Sequence, residues 1–161
     1  RMWQRIVAAA RLDYAMQAAP HSTTEGYENT AMATMHNTQM DGFHERESYD
    51  GQVFRWSHPL AEIVVDIPAA PHRFTIDTGR LRGDVADLVC ELFVNGRKVP
   101  SDEVSIHQGV VTFKAPGAWI VPGHPTRITV LTQPLQEPRR PDGQRGRRLG
   151  LPFVDFRAEA V

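Results

Sequence analysis

The sequence predicts a mainly β fold, an antiparallel β-sandwich of jelly-roll-like type with an N-terminal helix. Three observations carry this expectation. From Phe43 onward, short runs alternate apolar and polar residues, the period of a half-buried strand. Glycine and proline, 12 of each, punctuate nearly every junction between those runs. No helical pattern separates the runs, which argues against a parallel α/β sheet. The 161 residues suit one domain, and 41% apolar with 23% charged residues is ordinary globular usage.

Taken in order, residues 1–19 read as a helix. Trp3, Ile6, Val7, Ala10 and Tyr14 fall on one helical face, and Pro20 stops it. Such a helix suits a connector to a neighbouring domain or a contact in a homo-oligomer. Position 1 is Arg rather than Met, so the chain reads as a piece of a longer protein. The run Ile6–Ala10 is too short for the apolar stretch of a signal peptide. Residues 20–42 have neither period and read as a linker or irregular wrap. Residues 43–161 form the expected sandwich. Its strands are read at Val53–Ser57, Ala61–Ile67, His72–Asp77, Leu88–Val94, Arg97–Val99, Val104–His107, Val110–Lys114, Arg127–Thr132 and Leu151–Ala158. Asn95-Gly96 is the strongest hairpin signal among them.

Charge and motif tests narrow the function. Lys and Arg number 18 against 19 Asp and Glu, a net charge of −1, which excludes a strongly basic nucleic-acid binder. The single cysteine, Cys90, excludes an internal disulfide framework and a Cys-only zinc site. The seven histidines show neither HxH nor HExxH spacing, so no metal site is expected. No GxSxG elbow and no glycine-rich phosphate cradle occurs, so no catalytic residue and no cofactor is expected either. No apolar run approaches the ~18 residues of a membrane-spanning helix. The expected location is cytoplasmic, with membrane association only through a partner.

Two groups of residues remain as candidates. Residues 139–148, RRPDGQRGRR, hold five Arg against one Asp. Arg145, Arg147 and Arg148 would make an anion site, because guanidinium forks grip phosphate or carboxylate bidentately. The other reading is a solvated connection whose Arg residues pair with acids of residues 20–50. The second group is aromatic: Trp119 between two Pro-Gly breaks, and Tyr49 and Trp56 around the first strand, with Arg55 and His58 beside them. Sugars lay an apolar face on such rings while polar side chains bond the hydroxyls; the competing role is core packing. In Phe54-Arg55-Trp56-Ser57 the alternation puts Phe54 and Trp56 on one face. Trp56 is then a core anchor, and Arg55 is placed to pair with an acid such as Glu45.

Two segments resemble a known pattern. Residues 42–67, GFHERESYDGQVFRWSHPLAEIVVDI, run from a Gly-aromatic start through a Gly turn to aromatic-Arg-Trp-Ser and an alternating strand. Residues 147–156, RRLGLPFVDF, look like the closing Arg-x-Leu-Gly turn and final strand of the same module. Over about residues 42–158 the chain resembles β-sandwich accessory domains appended to bacterial glycosyltransferases and sugar-related methyltransferases of cell-surface polysaccharide biosynthesis. It departs from them at Gly146, where an acid often stands before the closing Arg. The resemblance implies a non-catalytic, glycosyltransferase-associated module. It would bind glycan or polysaccharide, or hold a parent glycosyltransferase domain against its substrate. The alternative expectation is a structural domain for protein–protein contact or oligomerisation.

Overall fold

The computed structural model describes residues 32–34, 38–79, 81, 90–139 and 141–161, with the backbone alone for 32–34. The strands are β1 (Met32–Thr34), β2 (Gln39–Tyr49), β3 (Gln52–Val65), β4 (His72–Asp77), β5 (Cys90–Val94), β6 (Arg97–Lys98), β7 (Ser105–His107), β8 (Val110–Ala115), β9 (Thr126–Thr132), β10 (Leu135–Gln136), β11 (Arg148–Leu149), β12 (Pro152–Phe153) and β13 (Asp155–Ala160). The fold is mainly β and its sheets are antiparallel. A front sheet runs β1-β13-β4-β8-β7. A back sheet runs β12-β3-β9-β5-β6, with β2 also paired to β3. β10 and β11 make a separate two-stranded ribbon.

Strand alternation explains why the two sheets meet. The front sheet turns Phe74 and Ile76 of β4, Val111, Phe113 and Ala115 of β8, and Phe156 and Ala158 of β13 inward. The back sheet answers with Ile63 and Val65 of β3, Leu92 and Val94 of β5, and Ile128 and Val130 of β9. All belong to one contiguous core. Phe74 sits at its centre, stacked on Phe113 at 5.2 Å and Phe156 at 6.3 Å between ring centroids. Each fully buried ring of this kind stabilises the fold by about 1.5–3 kcal/mol through area removed from water.

Three two-residue turns fix the hairpin registers. Asp50-Gly51, Asn95-Gly96 and Gln108-Gly109 all carry positive φ at both positions, 49° and 74°, 47° and 78°, 49° and 78°. That is the tight turn whose twist matches paired strands. The strand pairs they join close on Tyr49 with Gln52, Val94 with Arg97, and His107 with Val110.

Several expectations need adjustment. The helix of residues 1–19 lies outside the described residues. Residue 43 is not a boundary: β2 begins at Gln39, and Met32–Thr34 pairs with β13, so part of the segment read as a linker belongs to the sheets. Pairing there is made by the backbone, which leaves no apolar period to read. Val53–Ser57 and Ala61–Ile67 are one strand, β3, because the back sheet uses its two halves differently. Its first half pairs with β12 and its second with β9. The closing run divides at Val154, whose N–H bonds the Asp77 carbonyl at 2.8 Å, so β12 joins the back sheet and β13 the front.

Candidate functional site

The outward face of the front sheet is built from the residues that alternate with its core positions. Register aligns them in rows across the strands. One row reads Asp155, Asp77, Val110, His107. The next reads Arg157, Thr75, Thr112, Ser105, and a third Glu159, Arg73, Lys114. The face is therefore polar, with hydroxyls concentrated in its middle row.

A groove of about 500 Å³ opens where the first two rows meet the end of β4. Gln52, Asp77, Ser105, His107, Gln108 and Thr112 are its polar lining residues, and Gly79 and Val110 form part of its wall. Backbone bonds hold its edges. Thr78 is fully buried, and its N–H and hydroxyl both donate to the Gly109 carbonyl, at 2.9 and 2.6 Å. The Gly79 N–H donates to Asp77 Oδ1 at 2.8 Å, which fixes the carboxylate's orientation. Gly79 has φ +62°, and a Cβ there would collide with the Gln52 carboxamide and the Val154 side chain. Glycine thus lets Gln52, on the β2–β3 hairpin, reach the groove. Its cross-strand partner is Tyr49, 69% exposed. Directly paired residues share a side of the ribbon with Cβ atoms about 5 Å apart, so Tyr49 stands beside the residue that forms the groove's rim.

The two segments singled out in the sequence meet elsewhere, at the middle of β3. Ser57 is fully buried; its Oγ accepts from the Leu151 N–H at 2.9 Å, and its N–H donates to the Leu151 carbonyl at 2.7 Å. The Gly150 N–H donates to the Ser57 carbonyl at 2.7 Å. A Cβ on Gly150 would strike Ser57 Oγ, the His58 carbonyl and Thr132 Oγ1. The closing turn needs glycine because two backbones and two hydroxyls converge there.

Arg147, one of the three arginines of the anion-site expectation, completes this junction. Its guanidinium donates to Glu47 from Nη1 and Nη2 at 3.0 and 3.2 Å, and to Glu137 from Nε and Nη2 at 3.1 and 2.8 Å. The bonds to Glu137, then those to Glu47, push the guanidinium further above its ordinary range. Its Nε, Nη1 and Nη2 are thus engaged by two carboxylates of the protein itself. The pairing with Glu47 is the alternative reading of the arginine run, an ion pair to an acid of residues 20–50. Arg145 and Arg148 are exposed, and the Arg148 carbonyl lies 3.3 Å from His44 Nε2.

The remaining candidates divide. Trp119 is half-buried against the main core at the end of a 3₁₀ turn, and its carbonyl accepts from Asn95 Nδ2 at 2.8 Å. Trp56 is half-buried with its ring edge-on to Phe54, 6.1 Å away. Trp119 packs on the core, whereas Trp56 is not part of it. Alternation along β3 turns Arg55 and Ser57 to the core side and Phe54 and Trp56 to the other, so Trp56 is not the core anchor expected. Arg55 donates from Nε to the His44 carbonyl at 2.8 Å and lies over the Phe43 ring at 5.6 Å, rather than pairing with Glu45. The cause is a bulge: β2 shifts register between Phe43 and Arg46. The shift carries Glu45 out to solvent and turns the His44 carbonyl toward Arg55. His58 stacks on His44 with ring centroids 4.1 Å apart. Of the aromatic group, Tyr49 alone is strongly exposed and next to the groove.

Among the described residues, no group of three or more His, Cys, Asp or Glu side chains could hold a metal ion, and no helix is long and apolar enough to cross a membrane. Cys90 is half-buried against the core, and its thiol is pushed up to about 12 by burial and by Glu91, which makes it a poor nucleophile. Asp77, Thr112, Ser105 and Gln52 were not candidates in the sequence. Their only signal is polarity at the outward positions of short strands, which any solvated face shares. No protein-family model and no curated protein matches the chain.

Proposed function

We propose that the chain is a non-catalytic carbohydrate-binding module, acting as an accessory domain of a bacterial polysaccharide glycosyltransferase. One observation carries the carbohydrate reading. An open groove lined by a fixed carboxylate, two hydroxyls, two carboxamide residues and an imidazole lies beside an exposed tyrosine. Sugar rings offer alternating hydroxyls and an apolar C–H face. The first suits Asp77, Ser105, Thr112 and Gln52, and the second suits the Tyr49 ring. The association with a glycosyltransferase and a cytoplasmic location rest on the resemblance of residues 42–67 and 147–156.

The test is a ¹H–¹⁵N NMR titration with oligosaccharides from bacterial surface polysaccharides. Shifts confined to Tyr49, Gln52, Asp77–Gly79 and Ser105–Thr112 are expected. Tyr49→Ala should weaken binding about tenfold, the worth of one stacking contact of about 1–1.5 kcal/mol. Unchanged spectra with every glycan would remove this reading. Val53, 56% exposed near Tyr49 on the same hairpin, favours a second reading as a protein-contact module. Light scattering that shows self-association lost in Val53→Asp would support that alternative.

A further inference from the structure

We infer that the groove takes uncharged sugar units and rejects uronic acids and phosphate-bearing glycans. This rests on the carbohydrate reading above and goes beyond it, to the class of sugar. None of the described residues lining the groove is Arg or Lys. Its one carboxylate, Asp77, is held in place by the Gly79 N–H. The row that holds Asp77 continues with Asp155 beside it. The cation of the adjoining row, Arg157, donates from Nε to Asp155 Oδ2 at 2.8 Å. It stands in the field of Asp155, Glu159 and Asp77 together. Glu159 faces Arg73 in the third row, so the balance at the groove is set by Asp155 and Asp77 against the one guanidinium of Arg157. That guanidinium is bonded to Asp155, which leaves Asp77 as the uncompensated charge of that row. A carboxylate at C6 of a bound sugar would meet Asp77 with no cation among the described residues of the groove to offset it, whereas a C6 hydroxyl can donate to it. Like charges at such separations disfavour binding even through partial solvent screening. In the arginine-rich run that suggests an acidic ligand in the sequence, Arg147 pairs instead with Glu47 and Glu137, away from this groove.

The experiment uses oligosaccharide pairs that differ only at C6: gluco-, manno- and galacto-oligosaccharides against the matching oligouronates. Affinity is measured by calorimetry and the site by NMR shifts. For at least one pair, the neutral member should bind at the groove and the uronate at least tenfold more weakly, with neutral binding unchanged between low and high salt. Asp77→Asn keeps an oxygen to accept the Gly79 N–H but removes the charge, so it should narrow that gap to less than about threefold. A uronate that binds as tightly as its neutral partner overturns the inference and leaves the carbohydrate reading standing. The same holds if uronate binding falls in Arg80→Ala, since a cation next in the chain after Gly79 would then be reading the acid. An Asp77→Asn variant with an unchanged gap also overturns it. Binding by neither member of any pair overturns the carbohydrate reading, and this inference with it.

Discussion

Single residues in this molecule divide between holding the sandwich together and facing solvent, and substitution should separate them. Ser57 and Gly150 belong to the first kind. Ser57→Ala leaves the Leu151 N–H without its acceptor in a buried position, a loss of about 1–3 kcal/mol. Gly150→Ala forces a methyl onto Ser57, His58 and Thr132, and overpacking of this kind costs about 1–3 kcal/mol or more. Urea midpoints of both variants should fall, while Tyr49→Ala, at an exposed position, should stay within about 0.5 kcal/mol of the parent. If Ser57→Ala and Gly150→Ala were as stable as the parent, the junction would not be a structural element. Arg147→Lys should not replace Arg147, since an ammonium cannot face two carboxylates with paired parallel donors. Cys90 should resist thiol reagents in the folded protein and react once urea unfolds it, because its thiol is held at about 12. The sequence showed the importance of Ser57, Gly150 and Arg147 as motif members but not their roles. A motif lists residues along the chain, whereas Arg147 acts through Glu47, 100 residues away.

At the scale of the element, the β2–β3 pair is where geometry departs furthest from sequence pattern. Its Asp50-Gly51 turn is as regular as Asn95-Gly96, and both are legible as two-residue hairpins. Its register shifts between Asp41, Phe43 and Arg46 are not, because a bulge inserts residues without altering composition. The shifts bring His44 onto His58. Burial, and then the neighbouring His44, hold His58 below the ordinary histidine value of 6.5, with Asp41 opposing. A histidine with a lowered folded pKa binds a proton more readily in the unfolded chain. His58 is neutral in both states well above 6.5, so it contributes no pH dependence there. As pH falls through that value the unfolded state gains protons first, and the fold loses stability. The urea midpoint should therefore fall between pH 7.5 and 5.5. In His44→Gln the His58 resonance should titrate at a higher pH and the fall should shrink. An equal fall in both proteins would show that other groups carry the pH dependence.

The whole molecule is a closure problem, and the end of the chain solves it. Strand positions such as His72–Asp77 and Val110–Lys114 were legible because each keeps a strict apolar alternation against the core. The assignment of strands to sheets was not legible, since it depends on pairings between distant segments that leave no local trace. The groove was invisible for the same reason: Gln52, Asp77 and Thr112 come together only once the hairpin of one sheet meets the face of the other. β12 and β13 make this dependence concrete. Within ten residues, Pro152–Phe153 pairs with β3 in the back sheet and Asp155–Ala160 lies between β1 and β4 in the front. Leu151, Phe153, Phe156 and Ala158 in this stretch are all fully buried. Losing one large apolar side chain from a core costs about 2–5 kcal/mol. Losing three of them together is comparable with the about 5–15 kcal/mol that stabilises a typical domain. A protein ending at Gly150 should therefore lack a cooperative urea transition and expose its core to hydrophobic dyes. The control is the full-length chain with Glu159→Ala, outward-facing on the same strand, which should unfold cooperatively near the parent midpoint. A cooperative transition in the shortened protein would mean that the two sheets are held by their other strands alone, and that the final segment covers the sandwich rather than joining its halves.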